Sequence, residues 1–469
     1  MALTERQPFP LEAVDELRGL VRGGVLLPGE TGYDDARRIW NGLIDCYPAI
    51  ILRAHGANDV MQGVRFAREY DLEIAVKGGG HNVSGSAVCD GGLVLDCAEM
   101  QSVRIDPVAK TARVEPGAVL HDFDVEAQAH GLVTPLGFIS TTGVAGLTLG
   151  GGFGYLSRKW GLTVDNLRSV DLVTATGELV HASETENPAL FWAIRGGGGN
   201  FGVVTSFEFS LHKLAGPVLC GPIMYDLKDA PAVVRDVVAF MADAPDEVSC
   251  LVGLRNAPPA PFLPLAWHGK PVLAVTPIYV GDPDTGEAAL APLRAIGDPI
   301  VDAVAPRPYT VFQSLFDAAG LPGVRNYWQS HYFEELTEEA IDSICAHAAR
   351  ISTPESTIGL LTLGGAVADV PTDATPYPHR EATWVVNIQS RWNDPETDEA
   401  QMDWAQSLSL ALEPHATGGV YVNFISERDD ETQVRAAYGA DTYDRLVDVK
   451  TTWDPDNVFH LNQNIPPRT

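Results

Sequence analysis

Lysine is almost missing from this chain of 469 residues. It stands only at positions 77, 110, 159, 213, 228, 270 and 450, and the other basic residues are arginines. Against 32 basic residues stand 62 acidic ones, for a formal net charge of −30. A field of that sign repels nucleic acid and anionic membrane surfaces, so neither is an expected partner. Such a surface also repels itself in dilute buffer, whereas at 1 M salt charges are screened over about 3 Å. The composition therefore predicts adaptation to a salty interior, as in halophilic microbes, with an ordinary acidic protein as the alternative.

Other absences narrow the reading. No apolar run approaches the roughly 20 residues that a membrane-spanning helix needs. The first residues, 1–7, lack the basic and then apolar pattern of a secretory leader. Six cysteines, at 46, 89, 97, 220, 250 and 345, show no metal-ligand spacing, and scattered cysteines in a long chain read as reduced and buried. A soluble cytoplasmic protein without a metal is expected. There is no internal repeat and no low-complexity segment. At this length, with 45% hydrophobic residues, the core is ample and two or more lobes are expected.

Periodicity sketches the first lobe, residues 1–212. A buried strand over 49–54 precedes a helix from about Asn58 to Tyr70, whose Val60, Val64 and Ala67 share one face. Strands follow at 73–76 and 93–96, then a hairpin near 103–106 and 111–115 and a helix near 120–130. Strands over 170–174 and 179–181 flank a turn signature at Ala175 to Glu178, and a helix over 188–195 leads to a strand over 203–209. From 213 to 415 helical stretches (231–242, 338–351) alternate with strands (272–279, 384–390), which predicts a second lobe with a sheet backed by helices. Residues 416–469 are read as a tail returning to the first lobe.

Three glycine clusters carry the chemistry. The first, Gly78, Gly79 and Gly80, leaves a strand and delivers His81 and Asn82 just beyond it. Glycine tolerates positive φ and lets several backbone N–H groups face an anion, so this turn can cradle a phosphate beside an imidazole. The second runs from Ser140 to Gly154 and the third from Arg195 to Val203. The third holds a literal G-x-G-x-x-G (Gly197, Gly199, Gly202), but it follows a helix and opens a strand. A Rossmann fingerprint does the reverse, so that fold is rejected.

Lys77 to Asn82, Gly143 to Gly154, Gly161 to Asn166, Arg195 to Val203, and Trp453 to Asn464 together resemble the FAD-linked oxidases of the vanillyl-alcohol oxidase superfamily, in its berberine-bridge-enzyme-like branch. The resemblance covers roughly 45–212 and 416–467. It implies an α+β fold with a PCMH-type FAD-binding lobe and a substrate lobe. It also implies that Lys77, Gly78, Gly79, Gly80, His81, Asn82, Gly85 and Ser86 meet FAD, together with Ser140, Thr141, Thr142, Gly143, Gly146, Leu147, Gly150, Gly151 and Gly154, then Asn200, Gly202 and Val203, and finally Asn462 and Asn464. His81 occupies the place of the histidine that bonds the flavin 8α-methyl, and imidazole nitrogen is nucleophilic at neutral pH. Many relatives carry a second bond through cysteine. Here the matching position is Ile139, with Phe138 and Ser140 beside it, so a single histidyl link is implied.

The resemblance further implies hydride removal from a C–OH or C–N carbon of a small organic molecule, with O₂ as the acceptor. Thr142, which is not bulky, stands where relatives that block O₂ carry a large residue. A dehydrogenase with another acceptor and a non-catalytic flavin-binding protein are the alternatives. Two tyrosines match the family's base, Tyr421 and Tyr377, with Arg380 and Lys159 as conceivable phenolate partners and His379 and Arg380 as loop residues. A phenol of pKa near 10 needs such help to act at neutral pH.

Overall fold

A computed structural model describes residues 8–214, 216–426 and 431–468. Three large β-sheets organise the described residues, beside a two-stranded pair of His212–Lys213 with Leu132–Val133. In the first, Ile50–Arg53, Leu93–Asp96 and Ile74–Lys77 run parallel, and Gly24–Leu26 adds an antiparallel edge. Parallel strands need a covering crossover, and the helix Ala57–Glu69 supplies it with Val60, Val64 and Ala67, all fully buried. The second sheet is antiparallel, in the order Val103–Asp106, Thr111–Val114, Val203–Ser210, Leu167–Val173, Leu179–Ser183. Phe123 of the helix Leu120–Gln128 and Trp192 of Pro188–Ile194 pack with Phe207 and Phe209 into its core. Leu446 and Val449 of the helix Ala440–Trp453 join that same core, so the tail packs on this sheet.

The third sheet has nine strands, all antiparallel, centred on Pro271–Tyr279, Val248–Asn256, Thr357–Thr362, Trp384–Trp392 and Arg325–Phe333. Side chains alternate between faces along a strand, and Trp384–Trp392 shows what each face does. Trp384, Val386, Ile388 and Trp392 enter the core built with the helices Ala230–Ala242, Glu338–Ala348 and Asp398–Leu412. Val385 packs on the other face with Tyr421 and Phe153, which belong to the tail and the second glycine cluster. The third sheet thus backs onto helices and faces the first lobe. This is the mixed α+β, two-lobed architecture expected.

The structure shifts several of the expected ends and adds helices such as Leu11–Leu20, Pro283–Arg294 and Asp398–Leu412. The helix expected to reach Ile351 stops at Ala348, where Ala349 to Ile351 close in turns. A helix that periodicity did not suggest, Val144–Leu149, stands inside the second glycine cluster. Its six residues are too few to be helical alone, and burial of Val144, Ala145 and Thr148 holds them. Among the described residues no helix is long and apolar enough to cross a membrane, no group of acidic, histidine or cysteine side chains could hold a metal, and no two cysteines are joined.

Candidate functional site

A long cleft lies between the first lobe and the third sheet. Gly78, Gly79, Gly80, His81, Asn82 and Ser86 line it from the first glycine turn. Thr142, Gly143, Gly146 and Leu147 line it from the second cluster, Asn200, Gly202 and Val203 from the third, and Asn462 from the tail. The first two clusters meet backbone to backbone. A Cβ on Gly79 would lie 2.6 Å from Gly143 Cα and N, and one on Gly143 would lie 2.5 Å from Gly79 N. Only glycine at both positions lets these turns close on one another.

Several predicted residues stand behind this wall rather than in it. Lys77 turns its Nζ to Ala36 O (2.7 Å) and Asp96 (3.3 Å). Ser140 gives both its N–H and its hydroxyl to Asp317, and Thr141 is exposed. Gly85 occupies a positive-φ turn (φ 81°). Gly150, Gly151 and Gly154 make room for Asn423, Tyr377 and the Leu136 carbonyl, respectively. Asn464 holds a buried Oδ1 that meets no partner.

The tail reaches the cleft through a buried ion pair. Lys450 and Asp454 are both fully buried, with Nζ 2.7 Å from Oδ2. Lys450 also donates to Asn200 O and Phe459 O, and Asp454 accepts from the N–H groups of Val458 and Phe459. Asn200 donates to Gly197 O and Gln463 O and accepts from Ile465 N. Each charge is thus compensated, as a buried charge requires. The network ties the third glycine cluster to the segment that brings Asn462 and Gln463 to the cleft.

His81 is half-buried, and its Nε2 is buried without a hydrogen-bond partner. Burial pulls its pKa down to about 4, with a smaller push from the Arg391 charge, so the imidazole is neutral at pH 7. Its ring stacks on Trp40. Ile139 and Cys97 also line the cleft. Burial pushes the Cys97 thiol up to about 12, which removes the thiolate that nucleophilic attack requires.

The two tyrosines separate. Tyr421 lines the cleft, and its hydroxyl accepts from Gly152 N (3.1 Å) and Asn423 Nδ2 (3.0 Å). Both lone pairs are engaged, which leaves the O–H as a donor. Burial still dominates and lifts its pKa to about 12. Tyr377 sits one layer back, 6.3 Å from the Tyr421 ring and edge-on to Tyr332. Its hydroxyl meets no partner in hydrogen-bond geometry. Arg380 lies over the Tyr377 ring at 5.4 Å, yet its guanidinium is taken by Asp165 at 2.7 and 2.8 Å. Lys159 bonds Val280 O (2.9 Å) and pairs with Glu247, so neither cation serves a phenolate. His379 and Arg380 do fix their loop, through Ala437 O and Asp165.

The opposite wall went unread in the sequence. Trp328 and Gln389, directly opposite each other on neighbouring strands, line the cleft. Asn387, two residues along the same face, is 1% exposed, and both its amide atoms lack partners. Asn423, Phe153 and Phe424 complete the floor beside Tyr421. Only Asn423 had a local signal, as a polar residue two positions from Tyr421.

A glycine-walled cradle, a neutral histidine with an orphaned nitrogen and a largely apolar cleft fit a flavin nucleotide. The comparisons decide the matter. A family model described as FAD binding domain matches residues 48–183, and one described as berberine and berberine like matches 420–466. (R)-6-hydroxynicotine oxidase of Paenarthrobacter nicotinovorans is 32% identical over 95% of this chain and 97% of its own length. The chain belongs to this berberine-bridge-enzyme-like family of FAD-linked oxidoreductases. An FAD-linked oxidoreductase of Dictyostelium discoideum is 31% identical over 97% of each chain. The crystal structure of 6-hydroxy-D-nicotine oxidase from Arthrobacter nicotinovorans superposes with a TM-score of 0.86, at 30% identity, over 96% of this chain and 98% of that one. A berberine-bridge-enzyme-like protein of Physcomitrella patens, 24% identical, shares the fold with a TM-score of 0.87 over 97% of this chain and 99% of that one. The chain is an FAD-dependent oxidoreductase with a PCMH-type fold.

Proposed function

We propose that this oxidoreductase is an oxidase acting on a C–OH or C–N carbon of a small organic substrate held between Tyr421 and the Trp328–Gln389 wall. The observation that carries this reading is the Tyr421 hydroxyl, whose lone pairs are occupied by Gly152 and Asn423 and whose O–H is therefore free in the cleft. When bound, FAD would supply hydride-acceptor chemistry and reoxidation by O₂ to H₂O₂. The chain's part is to hold, orient and move a proton. Tyr421 acts as the phenolate, its own proton having passed to solvent beforehand: it takes up the O–H or N–H proton of the substrate on its remaining lone pair, and the two donors on its oxygen steady the charge until then. Gln389, from the cleft wall, offers a polar contact that orients the substrate. The apolar rings of Phe153, Phe424 and Trp328 exclude water. Thr142 leaves room for O₂.

His81 is the attachment residue in this reading, through a single covalent link. Support comes from its neutral imidazole with an unpartnered Nε2 and from Ile139, which stands where a second, cysteinyl link would form. The glycine clusters and Asn462 hold the dinucleotide, with residues 1–212 and 416–469 as the FAD-binding part and 213–415 as the substrate part. The acidic surface points to a salty cytoplasm. Anaerobic mixing with a library of alcohols, sugars and cyclic amines tests the activity. A substrate should bleach the flavin, and air should restore its colour. A flavin that bleaches but regains colour only with an artificial acceptor would make the protein a dehydrogenase. A flavin that nothing bleaches would leave it a binding protein.

A further inference from the structure

A strap from the N-terminal region, outside both matched family segments, joins the His81 turn to the substrate lobe. Trp40 donates its backbone N–H to Gly80 O at 3.0 Å, directly beside His81, and accepts from Gly323 N at 2.9 Å. Its indole Nε1 donates to Gly320 O at 2.6 Å. Asn41 continues the seam. Its Nδ2 donates to Val83 O (2.7 Å) and Asn326 O (3.0 Å), and its Oδ1 accepts from Asn326 N. Gly42 donates to Val324 O, and a Cβ there would strike Gly323 O at 2.1 Å. The strap therefore has little freedom to shift.

The indole of Trp40 lies parallel to the imidazole of His81, with centroids 4.0 Å apart and planes at 18°. Arg391 stands over the Trp40 ring at 5.3 Å. It reaches Trp40 from the sheet face that also carries Gln389. Arg391 is 4% exposed and, among the described residues, has no carboxylate within ion-pair distance. Its donors go to Asn326 Oδ1 (2.8 Å), Leu321 O (3.3 Å) and Ala319 O. These are the loop carbonyls and the asparagine that frame the strap. Burying an arginine without a counter-ion is costly, and here its side-chain donors all go to residues 319–326, the segment whose Gly320 and Gly323 bond Trp40.

We propose that Trp40 and Arg391 are positioning residues for covalent flavin attachment: the indole sets the plane of the His81 ring, and the guanidinium locks the indole. This rests on the reading of His81 as the attachment residue. In the step, a C–H bond of the flavin 8α-methyl and the imidazole N–H break and a C–N bond forms. The two electrons and two protons released reduce one O₂ to H₂O₂. The ring must present its nitrogen edge to the methyl group throughout, and a misplacement of about 1 Å costs such a reaction roughly 10²-fold. A leucine at 40 would fill space without fixing a plane.

The test follows acid-stable flavin over time after FAD is added to full-length chain produced in a riboflavin-starved host. Total bound flavin and melting temperature are measured on the same samples. Trp40→Leu and Arg391→Met should bind FAD as the parent does but form the acid-stable adduct roughly 10²-fold more slowly, and Trp40→Phe should restore most of the rate. Parent-like attachment in Trp40→Leu would overturn the proposal. Should Trp40→Leu fail to hold FAD, Arg391→Met decides alone, and parent-like attachment there overturns it. A parent protein with no acid-stable flavin would instead refute the His81 reading, and the positioning role would fall with it.

Discussion

The hydroxyl of Tyr421 accepts the backbone N–H of Gly152 at 3.1 Å, so a residue at the start of the tail is registered against the second glycine cluster. The same oxygen accepts from Asn423, and no charged group stands on it. Stabilisation of a phenolate here depends on two neutral donors, against burial that lifts the pKa to about 12.

That arrangement predicts the behaviour of Tyr421→Phe. A positioned acid–base group contributes about 10²–10⁴-fold, so stopped-flow bleaching by substrate should slow at least ~100-fold. The rate of air reoxidation should barely change, because that step needs no substrate proton. Tyr377→Phe, one layer behind the cleft wall, should bleach close to the parent rate. The reverse pattern would pass the role to Tyr377, and no change in either variant would remove tyrosine from the chemistry.

The histidines predict a pH dependence of stability. Burial holds His379 at about 4, as it does His81. The unfolded chain takes up protons at these sites near pH 6.5, whereas the folded chain does so only near 4. Their contribution is therefore fully present above about pH 6.5 and is lost as pH falls towards 4. The melting temperature of the flavin-free chain should drop across that window. His379→Gln should flatten the slope, and an unchanged slope would assign the titration elsewhere.

Charge predicts a response to salt. With 62 acidic against 32 basic residues, repulsion between carboxylates opposes compactness, and added salt screens it. Melting temperature and turnover should both rise from dilute buffer to molar KCl. A flat or falling melting temperature would mark an ordinary acidic protein.

How legible all this was depended on whether the signal was local. The strand Leu93–Asp96 matches its expected bounds, and the helix Ala57–Glu69 differs by one residue at each end, because both rest on short-range periodicity. His81 was readable because three glycines precede it. Trp328 and Gln389 were not, since they become neighbours only through the pairing of strands far apart in sequence. Tyr377 and Tyr421 both matched the family's base, and only the nearness of Tyr421 to the tail favoured it. What separates them is Gly151, which lets the Tyr377 ring pack behind the wall, and no local pattern records that contact. Trp40 carried no motif at all; only the folded strap brings its ring to His81.

Peptide mapping of the acid-denatured holoenzyme tests the central claim most directly. The account predicts that the flavin stays with the polypeptide, on one peptide only, the one containing His81, and that His81→Ala folds but releases its FAD on denaturation. A colourless pellet from the parent protein, or flavin on a peptide containing Cys97, would contradict it.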